Sequence, residues 1–222
     1  MHRQIYTPSM KYGLHVLNTE DAFMAKMQGG VSEALLMAMG YNRKMPKAIR
    51  HGPLHLGGAG ILNLETARHT CKINHILQHL RMGRATGKMI KIALDWAQLI
   101  AGTTTPVMEA SEILPHLTEP WIADTHRFLV QHNSGIKIPS LIKPITRRHA
   151  DQRIMDVMMN LNLSDHEVKD INNCRLFLQV EMIADIAMNQ GDKIRDSVRK
   201  GECSGVEFYI AVARTIEIKD KR

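Results

Sequence analysis

Apolar residues along this chain recur mainly at helical spacing, and glycine and proline punctuate the runs. Residues 19–39 (TEDAFMAKMQGGVSEALLMAM) predict a helix with a break at Gly29–Gly30. Thr19 with Glu20 and Asp21 suits its start, and Gly40 suits its stop. A second helix is predicted from residue 64 to about residue 80. Ile73, Ile76, Leu77 and Leu80 give it an apolar face. Arg68, Lys72, His75 and His79, at steps of four, three and four, form the expected solvent-facing stripe opposite. A third helix is predicted over 86–101, with Met89, Ala93, Trp96 and Ile100 on one face and Lys88, Lys91, Asp95 and Gln98 on the other. Gly102 ends it.

Residues 110–132 hold one or two helices around Trp121. The stretch 133–146, with Pro139 and Pro144, reads as an extended connector, and 147–160 as a short helix. The clearest helical signal covers 164–188. Ser164 and Glu167 make a capping box, and Ile171, Cys174, Leu178, Met182 and Ile186 form a stripe to be buried. The last segment, GVEFYIAVARTIEIKDKR, is β-branched and partly alternating, which allows a strand. The pattern therefore predicts a mainly α fold: a helical, bundle-like domain over 19–190, with a short N-terminal segment (1–18) and a divergent tail (191–222) that carries a small β element. No internal repeat or heptad run is visible.

Between the first two helices lies a different kind of sequence, GYNRKMPKAIRHGPLHLGGAG, over 40–60. Pro46 and Pro53 oppose one continuous helix here, and Pro53 pushes Gly52 away from helical backbone. Gly57, Gly58 and Gly60 permit positive φ or close backbone approach, so a tight turn or crossing is expected.

Charge changes the picture at this point. The 222-residue chain carries a formal net charge of +7. Residues 1–90 hold 12 Lys/Arg against 4 Asp/Glu, so the excess lies in the first part of the chain. Between 43 and 91 ten Lys/Arg face a single acid, Glu65. That concentration favours a polyanionic partner, most simply nucleic acid. Arg43, Lys44, Lys47 and Arg50 flank Pro46, and Arg68 and Lys72 follow across the glycine turn, which makes these six the candidate phosphate contacts.

Catalytic motifs are missing. There is no GxSxG, no P-loop lysine after the glycines, and no adjacent aspartate pair for two-metal chemistry. Cys71, His75 and His79 share one predicted helix, with His51 and His55 nearby, yet three donors over two turns of a helix do not converge on one ion. No metal or cofactor is expected. Three cysteines at no disulfide-like spacing, no apolar leader and no membrane-length run predict an intracellular protein, nuclear or cytoplasmic, without a membrane partner. Fifteen methionines predict an adaptable core or groove, and Met24, Met27, Met37 and Met39 are the suspects for an exposed docking patch.

The segment GYNRKMPKAIRHGPLHLGGAGILNL resembles the region after the catalytic palm in reverse transcriptases of non-LTR-type retroelements. There a basic, proline-containing stretch leads into a glycine turn and then a helix. Gly40, Tyr41, Asn42, Arg43, Met45 and Pro46 match the first part; Pro53 and Gly52, Gly57, Gly58 and Gly60 match the turn, with Ala59 where leucine is usual. A weaker likeness runs through Ala97–Leu99, Gly102, Pro106, Trp121, Phe128–Leu129 and 172–178. The resemblance implies a thumb-like helical module that contacts the phosphates of RNA or an RNA–DNA hybrid, beside a fingers–palm domain supplied in trans. The aspartates of the retroelement palm have no counterpart in this chain, so the resemblance implies a non-catalytic role. A docking domain without nucleic acid, or a retroelement remnant, is the alternative.

Overall fold

A computed structural model describes residues 12–19, 21–139, 141, 151–188 and 193–194. The described chain is mainly α-helical, as the periodicity predicts. It packs as two units that divide between Lys88 and Met89. This division falls inside the span 19–190 read as one domain. Among the described residues no helix is long and apolar enough to cross a membrane.

In the first unit, α1 (Asp21–Ala38) runs unbroken through Gly29–Gly30, where a break was expected. Two helical glycines cost roughly 1 kcal/mol each relative to alanine, which weakens a helix without severing it. Burial of Met24, Ser32 and Leu36 on either side offsets that cost. Gln28 also fixes the middle of α1. Its Nε2 donates to Leu62 O (2.5 Å) and its Oε1 accepts from Leu64 N (2.9 Å). A short α2 (Lys47–His51) follows Pro46. The long α3 (Leu64–Met82) is capped by the Asn63 side chain at its start and by Gly83 in left-handed backbone at its end. Among the described residues two apolar clusters lie in this unit. Leu14, Met24, Leu64 and Ala67 form one, and Leu36, Ala59 and Ile61 form the other.

The α3 face is rotated from expectation. Arg68 and Lys72 are fully buried beside Leu64 and Ile76, whereas Thr66, Thr70, Asn74 and Gln78 face solvent. The Arg68 guanidinium accounts for part of this. It donates to Thr19 O and to Asp21 Oδ1, tying α3 to the first residue of α1.

Helix α4 (Ala85–Ala101) carries the chain into the second unit. Its buried residues there are Leu94, Ala97, Ile100 and Ala101. Met89 and Trp96, placed with Ala93 and Ile100 by the pattern, are instead exposed together with Ile92 and Leu99. A single helix, α5 (Pro120–Gln131), occupies the region read as one or two helices. Residues 133–139 are non-helical, as expected, and the remainder of that connector lies outside the described residues apart from residue 141.

The helix expected over 164–188 is broken. Helix α7 (Asp165–Leu178), which follows α6 (Ile154–Met159), starts with the predicted Ser164–Glu167 capping box but stops at Gln179 in left-handed backbone (φ 54°). The chain then turns extended, and Ile154 N donates to Glu181 O (3.0 Å) while Ile183 N donates to Gln152 O (2.9 Å). This doubling back places α8 (Ile183–Ile186) so that Ile186 joins Ile154, Met155, Met158, Val168 and Ile171 in one core. The β element is a two-residue antiparallel pair, β1 (Ala187–Met188) with β2 (Lys193–Ile194). The strand allowed in the tail lies outside the described residues.

Candidate nucleic-acid interface

The basic connector is built by local hydrogen bonds. Asn42 Oδ1 accepts from Lys44 N (2.8 Å), and Met45 N donates to Asn42 O (3.0 Å). Arg50 Nη2 reaches back across this turn to Arg43 O (3.3 Å) and Met45 O (3.2 Å). Arg50 is therefore a brace, with its guanidinium committed to the connector's own carbonyls. Arg43, Lys44 and Lys47 are exposed.

The glycine turn locks the connector in place. Residues 49–52 and 59–61 run beside each other. Ala59 N donates to Ile49 O (2.9 Å), Ile61 N to Arg50 O (3.1 Å) and Gly60 N to Gly52 O (2.9 Å). His51 Nδ1–H adds a bond to Ile61 O (2.9 Å). The loop between them closes through a 3₁₀ turn at Leu54–Leu56 and Gly57 in left-handed backbone (φ 80°). Gly58 then crosses Gly52 so closely that a Cβ would lie 2.2 Å from Gly52 O. Only two bare backbones can meet this way. Ala59 and Ile61, buried with Leu36, seat the closed loop on the first unit's core.

This geometry opens a groove of about 640 Å³ between the turn and α3. Its walls include His51, Pro53, Leu54, Asn63, Thr66, Thr70, Cys71 and Asn74, and among the described residues no acid lines it. Thr66, Thr70 and Asn74 stand four residues apart and give one uncharged polar edge. Lys47 lies one turn before His51 on the same face of α2, so an exposed cation stands above the groove's histidine.

Of the six expected phosphate contacts, three stay available: Arg43, Lys44 and Lys47. Arg50 is half-buried and internally bonded. Arg68 and Lys72 do not share this surface, since both are fully buried. The uncharged stripe Thr66, Thr70, Asn74 and Gln78 was the sequence signal for the true solvent face. The expected turn residues Pro53, Gly57, Gly58 and Gly60 all lie in the turn described. Of the other exposed cations described in this unit, Lys26 lies on α1, while Arg81, Arg84 and Lys88 flank the α3–α4 junction.

The metal reading of Cys71 and His75 with His51 or His55 is not supported by the arrangement. His51 and Cys71 share the groove, but His75 is not among its walls, and His55 is exposed on the 3₁₀ turn. Of the suspect methionines, Met24 is buried, while Met27, Met37 and Met39 are exposed. No family model matches the chain, and neither curated proteins nor solved structures give a match.

Proposed function

We propose that this chain is a non-catalytic helical module that binds nucleic-acid backbone through Arg43, Lys44 and Lys47. The observation that carries the reading is three exposed cations on a connector whose backbone is hydrogen-bonded to the glycine turn that walls the groove. Long exposed cations on a fixed turn suit phosphate, and Thr and Asn hydroxyl and amide groups suit sugar and base edges. The resemblance of residues 40–62 to the segment after a reverse transcriptase palm points the same way and favours RNA or an RNA–DNA hybrid.

The test is anisotropy with labelled single-stranded RNA and an RNA–DNA hybrid at two salt concentrations. Wild-type binding should weaken with salt, and Arg43→Ala/Lys44→Ala/Lys47→Ala should remove most of it. Loss of three phosphate contacts should flatten the log–log salt slope by roughly 2 to 3. Salt-insensitive binding, or a triple variant that binds like wild type, overturns the reading.

A docking role is the second reading, and one observation favours it. Met89, Ile92, Trp96 and Leu99 stand exposed along α4 at spacings of three, four and three. Such a stripe is the narrow apolar seam of a helix that pairs with another. Loss of wild-type nucleic-acid binding with retention of fold would leave this reading standing.

A further inference from the structure

Helix α3 shows solvent an uncharged polar face that ends in a cation. Thr66, Thr70, Asn74 and Gln78 are exposed at steps of four. Arg81 is exposed beyond them and, by helical phase, falls between Thr70 and Asn74, within roughly 20° of each. Glu65, the single acid of α3, lies roughly 100° or more round the helix from these residues. From Thr66 to Leu94 the sequence contains no Asp or Glu.

Both ends of this face meet further cations. At the start, Thr66, Thr70 and Asn74 share the groove with His51, and Lys47 lies one turn before His51 on α2. At the other end, Arg84 precedes α4 and Lys88 lies in its first turn, where Lys88 N donates to Arg84 O (3.0 Å). Gly87 beside Lys88 crosses α3 so closely that a Cβ would lie 2.1 Å from His79 O. That backbone contact holds the start of α4 against the last turns of α3. It gathers Arg81, Arg84 and Lys88, all exposed and all within the first unit, around one junction.

We infer that a single strand of RNA runs along α3 from the connector to the α3–α4 junction, where Arg81, Arg84 and Lys88 are a second set of phosphate contacts. The inference rests on the nucleic-acid reading above and adds to it the path, the far contacts and the strandedness. Thr66 and Arg81 stand about 22 Å apart along the helix axis, so the track takes several nucleotides. A duplex turns its charged backbones outward and calls for cations along the whole track, yet none is exposed on the stripe between Thr66 and Gln78. The hydroxyl and amide groups there suit the base edges and 2′-hydroxyls that an unpaired strand leaves open.

The test uses the full chain and labelled oligouridylates of about 4, 8 and 12 nucleotides, with a blunt RNA–DNA hybrid for comparison. Wild-type affinity should climb with length until the track is filled, and the hybrid should bind more weakly than the longest single strand. Arg81→Ala/Arg84→Ala/Lys88→Ala should remove the gain with length, cost the longer RNAs at least about tenfold, and flatten the log–log salt slope by roughly 2. Asn74→Ala/Gln78→Ala should weaken binding by at least about fivefold and leave the salt slope unchanged. The substituted side chains are exposed, and circular dichroism checks that each variant folds. If the junction variant binds every length as wild type does while Arg43→Ala/Lys44→Ala/Lys47→Ala is impaired, the nucleic-acid reading stands and this inference falls. A hybrid bound as tightly as single-stranded RNA, or an Asn74→Ala/Gln78→Ala variant without effect, also overturns the single-strand path. Absence of RNA binding by folded wild type overturns both readings.

Discussion

The bare Cα of Gly102 lies against the guanidinium of Arg175, where a Cβ would sit 2.6 Å from Cζ. Gly102 ends α4 in left-handed backbone (φ 62°). Arg175, on α7, donates from Nη2 to Leu99 O (2.9 Å) and Ile100 O (2.8 Å), carbonyls at the end of α4. Asn172 Oδ1 holds the same guanidinium through Nε (3.0 Å) and Nη2 (2.9 Å). A buried cation thus caps the negative end of one helix from the side of another. Gly102→Ala should cost about 1–2 kcal/mol from backbone strain alone, and more because Arg175 must shift. In an Arg175→Ala background only the strain remains. The coupling in a double-mutant cycle should exceed about 0.5 kcal/mol, measured by urea unfolding. Additive effects would show that the two residues do not compete for the same space.

The two glycines inside α1 present the opposite case. A Cβ at Gly29 or Gly30 meets nothing within 4 Å, and neither has positive φ. Replacement by alanine removes unfolded-state freedom without strain. Gly30→Ala should stabilise the protein by about 0.5–1 kcal/mol, seen as a rise in melting temperature. A fall would mean that α1 needs flexibility at its centre.

Arg68 separates stability from binding. Its side chain is wholly buried and bonds Thr19 O and the Asp21 carboxylate. Arg68→Ala should lower stability by about 2–3 kcal/mol through lost charge-assisted bonds. The folded fraction should bind RNA as wild type does, since Arg68 is off the surface. Arg43→Ala/Lys44→Ala/Lys47→Ala should show the reverse pattern. Equal loss of RNA affinity in Arg68→Ala, at matched folded fraction, would return Arg68 to the interface.

Local chemistry was legible in the sequence where it alone decides the structure. The Ser164–Glu167 capping box and the turn built on Pro53, Gly57, Gly58 and Gly60 depend on neighbours a few residues away. Tertiary contacts decided the rest. The long cations Arg68 and Lys72 read as surface because charge usually stays in water, and nothing local announces that Asp21 sits opposite. The helical period in 164–188 continues past Gln179, yet the backbone leaves it to bond 152–154. Nor does spacing along α3 reveal that His15 stacks on His75.

Two buried histidines make the second unit sensitive to acid. His116 Nε2–H donates to Ala101 O (2.9 Å), and His126 faces Val107 O (2.8 Å) and Glu112 O (3.1 Å) through its two nitrogens. Burial lowers the His116 value most; the bond to Ala101 opposes it, and Arg175 and His126 add to the lowering. Burial also dominates at His126, against the pull of its two carbonyl partners, with a lesser push from Arg127. Both groups therefore bind protons more readily in the unfolded chain, at the usual histidine value of about 6.5, than in the fold. Their contribution to stability is complete above that value. It falls as the pH drops from there towards the lowered folded values, below which it is lost. Urea midpoints should decline between about pH 7.5 and pH 5.5, where exposed carboxylates remain ionised. His116→Gln keeps a donor for Ala101 O while removing one titrating ring, so it should flatten that decline. A midpoint that holds steady or rises on acidification would place both histidines at or above their ordinary value in the fold.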